Sequence, residues 1–144
     1  MSVPGRGVLD TSTLILLTRL DPDALPAEPV ITVVTLAELS VGPLVTDDPE
    51  EQAARQLRLQ ETEAAFEPLL FDAASAREFG RVAASLHRAG RKPAARAFDA
   101  VVAAIAAAHG LAVFTCNPKD FEHMGEVVAV PHPDGPNRLP MPDE

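Results

Sequence analysis

An α/β sandwich with a mainly parallel central sheet is the fold class that this 144-residue sequence predicts. Three observations predict it. Short apolar segments alternate with helical ones along the whole chain. Those apolar segments show no inside–outside alternation, as expected of strands buried on both faces. Aromatics make up only 4%, six Phe with no Trp or Tyr, so the core is aliphatic and suits helix-on-sheet packing better than an aromatic-rich β-sandwich. The length fits one domain, and 47% apolar with 23% charged residues argues against disorder. The domain is placed at residues 1–130. The last fourteen residues, 131–144, hold five prolines without periodicity and read as an extended or disordered tail.

Val8-Leu9 reads as the first strand, running into Asp10-Thr11-Ser12, whose short polar side chains suit a helix N-cap. The helix that follows, with Leu14, Ile15, Leu16, Leu17 and Leu20, is apolar on more than one face, implying deep burial or a partner surface. Pro22, Pro26 and Pro29 mark a loop before a strand at Val30-Ile31. A helix starting at Thr35 ends at Gly42-Pro43. Acids at residues 47–51 suit a helix N-terminus, and that helix continues to about Ala65. Pro68-Leu69-Leu70-Phe71 is a third strand candidate. An amphipathic helix over Ala73–Ala89 stops at Gly90, and a small-residue helix over Ala94–His109 stops at Gly110. Leu111–Thr115 and Val127–Val130 are the last strand candidates.

Several chemistries lose their support. The single cysteine, Cys116, excludes an internal disulfide and a multi-Cys metal centre, and fits a reducing cytoplasm. His87, His109, His123 and His132 are scattered without ligand spacing. No Gly-rich phosphate loop or Gly-x-Ser-x-Gly appears. No leader is read at the N-terminus, and no apolar run reaches the ~18 residues of a membrane span. A net charge of −9 disfavours broad binding to nucleic acid, so phosphate contacts need a local basic patch or bound cations.

Three acids stand where surface carboxylates are not expected. Asp99 is the one charge in the apolar run from Phe98 to Ala108, above a face of Ala103 and Ala106, although a position near the helix start would also expose it. Glu38 sits among apolar residues one turn after Thr35, where a solvated face is the competing reading. Asp10 follows a strand and equally suits an N-cap. In parallel sheets, chemistry gathers at the carboxyl ends of strands, where Asp10, Glu38, Asn117 and Asp120 all fall. Carboxylates brought within ~4 Å repel by on the order of 4 kcal/mol per pair at an effective dielectric of about 20, so such a group needs a cation or raised pKa values. Oxygen ligands alone favour Mg²⁺ or Mn²⁺ over zinc.

The basic residues are also uneven. No acid lies between Phe79 and Phe98, while Arg81, Arg88, Arg91, Lys92 and Arg96 all do. Arg88, Arg91 and Lys92 either complement a helix C-terminus or form a basic rim for a phosphodiester substrate. Arg96, three residues before Asp99, either holds that carboxylate or meets a substrate phosphate.

Taken together, Val8-Leu9-Asp10-Thr11-Ser12, Thr35-Leu36-Ala37-Glu38-Leu39 with Gly42, Phe98-Asp99-Ala100, and Thr115-Cys116-Asn117-Pro118-Lys119-Asp120-Phe121 resemble the PIN domain, specifically the VapC toxins of bacterial toxin–antitoxin pairs. The likeness covers about residues 7 to 130 in order. It implies a three-layer α/β/α sandwich, Mg²⁺- or Mn²⁺-dependent endoribonuclease activity on RNA such as tRNA or rRNA, a homodimer, and a cognate VapB-type antitoxin. By the same resemblance Asp10, Glu38 and Asp99 match the metal-binding acids. Thr11 or Ser12 orients Asp10, and Thr115 supplies a hydroxyl near the site. Asn117 stands where some members carry Asp, which leaves open whether Asn117 or Asp120 completes the set. The resemblance further implies hydrolysis by a metal-activated water. A haloacid-dehalogenase-like phosphatase is the first rival, but it wants an acid at the position of Ser12. The second is a catalytically silent PIN-like module that binds RNA or protein.

Overall fold

The computed structural model describes residues 5–135. Strands β1 (Arg6–Leu9), β2 (Glu28–Val30), β3 (Val113–Thr115) and β4 (Val127–Ala129) form one sheet in the order β2-β1-β3-β4, with every neighbouring pair parallel. β1 is central, with Val8 registered against Val30 on one side and Val113 on the other.

Because successive side chains leave a strand on opposite faces, each pair of strand residues serves two cores. Val8, Val30 and Val113 enter the first, which is covered by α4 (Ala73–Arg88) and α5 (Ala97–Ala108) through Val82, Leu86, Val102, Ala103 and Ala106. Leu9, Ile31 and Phe114 enter the second, under α1 (Thr11–Ile15) and the 3₁₀ turn Leu17–Arg19, with Leu14, Leu16 and Leu20. α2 (Val33–Val41) contributes Val34 to the first core and Leu39 to the second, while α3 (Pro49–Ala65) lends Leu59 to the second. The result is the three-layer α/β/α sandwich that the resemblance implies. Gly7 is required by close approach: a Cβ there would run into the ring of the fully buried Phe114.

Both predicted glycine stops are real. Gly90 and Gly110 adopt φ of 74° and 66°, and the next amides, of Arg91 and Leu111, donate back to Leu86 and Ala106. Elsewhere the local reading needs correction. The first helix is a single α turn followed by 3₁₀, because the run of leucines fills a core pocket without a continuous helical face. Pro68–Phe71 is not a strand: Leu69 makes one isolated bridge to Thr32, and Leu70 and Phe71 are exposed. The helix predicted from Ala94 begins as a 3₁₀ turn at Pro93–Arg96 and becomes α-helical at Ala97. β4, an edge strand, is only partly buried. Of the proposed tail, residues 131–135 are described, with Asp134 paired to Arg19 at 2.5 Å, and the remainder lies outside the described residues.

Candidate active site

Asp10 follows β1 and caps α1, its Oδ1 accepting the Thr13 N–H at 3.3 Å. Its Oδ2 accepts from the Thr115 hydroxyl at 2.9 Å and from the Ser12 hydroxyl at 3.3 Å. Thr115 ends β3, so the carboxylate ties the two middle strands together at their carboxyl ends. Asn117 extends this net, donating its N–H to Thr115 Oγ1 at 2.9 Å and its Nδ2 to Ser12 Oγ at 3.2 Å. Asp10 and Asn117 are buried. Burial raises the Asp10 pKa above the usual carboxylate value, against the lowering influence of the Thr13, Thr115 and Ser12 hydrogen bonds.

Glu38 approaches from α2. The Thr11 hydroxyl donates to Glu38 Oε1 at 2.6 Å and lies 2.9 Å from the Thr35 hydroxyl. With its one proton directed to Glu38, Thr11 must accept from Thr35.

Asp99 lies in the first turn of α5 with its side chain 34% exposed. Its pKa is pushed up to about 7, first by burial, then by the charges of Asp120, Asp10 and Glu38, with Arg96 opposing. Asp120 stands on the 3₁₀ turn Pro118–Phe121. Arg96 reaches both acids, its Nη1 3.0 Å from Asp120 Oδ1 and 3.8 Å from Asp99 Oδ2.

The structure thus brings together Asp10, Thr11, Ser12, Glu38, Arg96, Asp99, Thr115, Asn117 and Asp120. Asp10 is both the helix cap and a member of the acid group, so its two readings are compatible. Arg88, Arg91 and Lys92 do not join the group: all three are exposed, and Arg91 pairs with Glu122 at 3.1 Å. Two contributors escaped the sequence reading. Thr35 orders Thr11, and Thr13 holds the Cys116 N–H at 3.0 Å. Their signal is a hydroxyl residue just after a strand in an otherwise apolar helix start.

The donor set suits a hard divalent cation, since it is made of carboxylate, amide and hydroxyl oxygens and since the acids around Asp99 raise its pKa despite the opposing charge of Arg96. Among the described residues no three Asp, Glu, His or Cys side chains form a ready-made cage. Mg²⁺ does not need one, because it retains several waters and uses one or two carboxylates.

Comparison with known families matches residues 7–127 to the PIN domain. The chain belongs to the PIN-domain family. Within it, this PIN domain is similar to VapC proteins. It is 36% identical to Ribonuclease VapC4 of Mycobacterium tuberculosis over 87% of this chain and 95% of the relative. It is 38% identical to Ribonuclease VapC5 of the same organism, over 79% and 84%. Among solved structures, a VapBC-5 toxin–antitoxin structure from M. tuberculosis superimposes with a TM-score of 0.75 at 36% identity, covering 88% of this chain and all of the other. FitAcB from Neisseria gonorrhoeae, at 24% identity and a TM-score of 0.70, shares the fold over 88% and 96% of the two chains. No helix among the described residues of this PIN domain is long and apolar enough to cross a membrane.

Proposed function

We propose that this PIN domain is a Mg²⁺- or Mn²⁺-dependent endoribonuclease, the toxin of a VapBC-type pair acting on RNA in the cytoplasm. The observation that carries the reading is the convergence of Asp10, Glu38 and Asp120 on Asp99, strong enough in combination with burial to hold its pKa near 7. Structural acids are placed to avoid one another, and a group that accepts this repulsion is poised for a cation or a proton. The family likeness to proteins named ribonucleases supports RNA as the substrate class.

In this mechanism Asp10, Glu38, Asp99 and Asp120, with the Asn117 amide, would hold the cation. When bound, Mg²⁺ or Mn²⁺ would acidify a water and neutralise charge developing on the phosphoryl group and the leaving 3′ oxygen. Thr115 and Ser12 fix the Asp10 carboxylate by hydrogen bonds, and Thr11 fixes Glu38, so both acids are oriented before substrate arrives. Ionised Asp99 would take the proton of the attacking water, whose oxygen bonds to phosphorus as the P–O3′ bond breaks, and the leaving 3′ oxygen would take its proton from solvent. Arg88, Arg91 and Lys92 would form the rim that tracks the RNA backbone.

A VapB-type partner has a place to bind. An open groove between α1 and α3 is lined by Leu14, Ile15, Leu17, Leu57 and Phe66, with Leu57 itself exposed. A homodimer also belongs to this proposal.

The test is cleavage of total RNA by the purified chain with Mg²⁺ or Mn²⁺, beside EDTA and Asp99→Asn controls. Discrete fragments that vanish in both controls are expected. Absence of cutting with either metal, or cutting that survives Asp99→Asn, would overturn the nuclease reading in favour of a silent binding module.

A further inference from the structure

Arg96 occupies a position that its own helix does not favour. It immediately precedes α5, at the positive end of the macrodipole, where a cation is repelled, and its side chain makes no capping hydrogen bond. What holds it there is the acid pair: one nitrogen, Nη1, faces Asp120 Oδ1 at 3.0 Å and Asp99 Oδ2 at 3.8 Å. Its side chain is 42% exposed, so it can leave without opening the core. A divalent cation held by these carboxylates would meet the positive charge of the guanidinium beside them.

Resting on the metal-site reading above, we propose that Arg96 is a built-in counter-cation that closes the Asp99–Asp120 side of the site and must be displaced when a divalent ion binds. The guanidinium and the metal are alternative occupants of one negative pocket. Arg96 therefore lowers the affinity of the empty site for metal, and once displaced it stands at the mouth of the cluster, within reach of an incoming phosphate. It is a positioning residue, since it acts through the two carboxylates.

The direction of this effect separates it from structural damage. Mn²⁺ alone is titrated into the wild-type chain, Arg96→Gln, Arg96→Lys and the remote control Arg81→Gln, at pH 8 so that the wild-type Asp99 is ionised. Arg81 is 78% exposed and pairs with Glu78. Arg96→Gln is expected to bind Mn²⁺ roughly tenfold more tightly, because the exposed guanidinium is screened toward the strength of a charge contact in water. Arg96→Lys and Arg81→Gln should stay near wild type. In the wild-type chain, Mg²⁺ should also shift the Arg96 Nε–H NMR signal, assigned by its loss in Arg96→Lys.

Unchanged or weaker binding by Arg96→Gln, equal tightening in Arg81→Gln, or an Nε–H signal unmoved at saturating Mg²⁺ would overturn the counter-cation role while leaving the metal site standing. Mn²⁺ binding to none of the chains would remove the metal site and this inference with it.

Discussion

At the junction of β1 and α1, Asp10 is buried and held by hydrogen bonds from Thr13, Ser12 and Thr115, whereas at the start of α5, Asp99 is one-third exposed and answered by an arginine 3.8 Å away. The first region orients a carboxylate with neutral hydroxyls that no change of salt disturbs. The second balances charge against charge across side chains that can move. Hydroxyl donors fix geometry without cancelling negative potential, so Asp10 and Glu38 still act on Asp99. One side of the site is therefore preorganised and the other adjustable, a division that serves a ligand which must enter and leave.

The sharpest way to break this contrast is Asp99→Asn. RNA cleavage should fall by at least about 10²-fold, beyond the range typical of residues that only support a metal ligand. The same variant should be more stable than wild type at pH 8, by about 1 kcal/mol after discounting for solvent screening, read as a rise in Tm. A fall in both would mean that Asp99 is a structural anchor.

The pH dependence follows from the same residue. Mn²⁺ affinity of the empty site should climb by up to about tenfold per unit below pH 7 and level off above it, because the ionised carboxylate is required. Stability runs the other way. The folded-state pKa of about 7 exceeds the ordinary carboxylate value of 3.8, so between the two the folded chain keeps a proton that the unfolded chain has lost. That contribution is complete below about 3.8 and disappears as pH rises through about 7. Urea titrations of wild type and Asp99→Asn across pH 5–8 should converge at the acid end.

On the preorganised side, Thr115→Val removes the donor to Asp10 and the acceptor of the Asn117 N–H at a fully buried position. A stability loss of about 1–3 kcal/mol is expected by chemical denaturation. Arg91→Ala, which breaks only the exposed pair with Glu122, should change stability by less than about 0.5 kcal/mol.

Legibility in the sequence followed the same division. Asp10, Glu38 and Asp99 stood out because each is a charge in an apolar setting, and strand-to-helix junctions placed the first two at one sheet edge. The double-sided core was readable from Val8-Leu9 and Val113-Phe114, since adjacent apolar residues in a strand must face opposite layers. The role of Arg96 was left between a carboxylate and a phosphate, because spacing gives its distance to Asp99 along a helix and says nothing of Asp120, 24 residues away. Pro68–Phe71 misled because a short apolar run carries no information about whether a neighbouring strand is free to pair. Thr13 and Thr35 carried only the weak signal of a hydroxyl at an apolar helix start, since a hydroxyl's importance comes from what it meets across the fold.

The all-parallel order β2-β1-β3-β4 also governs when this site can exist during synthesis. Parallel neighbours cannot be closed by a tight hairpin, so each pairing waits for a crossover. β1, which leads into Asp10, gains its second neighbour only when Val113–Thr115 has been made, and Thr115 is the residue that fixes the Asp10 carboxylate. Asp120 arrives later still. A ribosome translating this chain would hold an incomplete acid group until Asp120 has been made, and the segment from β3 through the Pro118–Phe121 turn would set the onset of any activity.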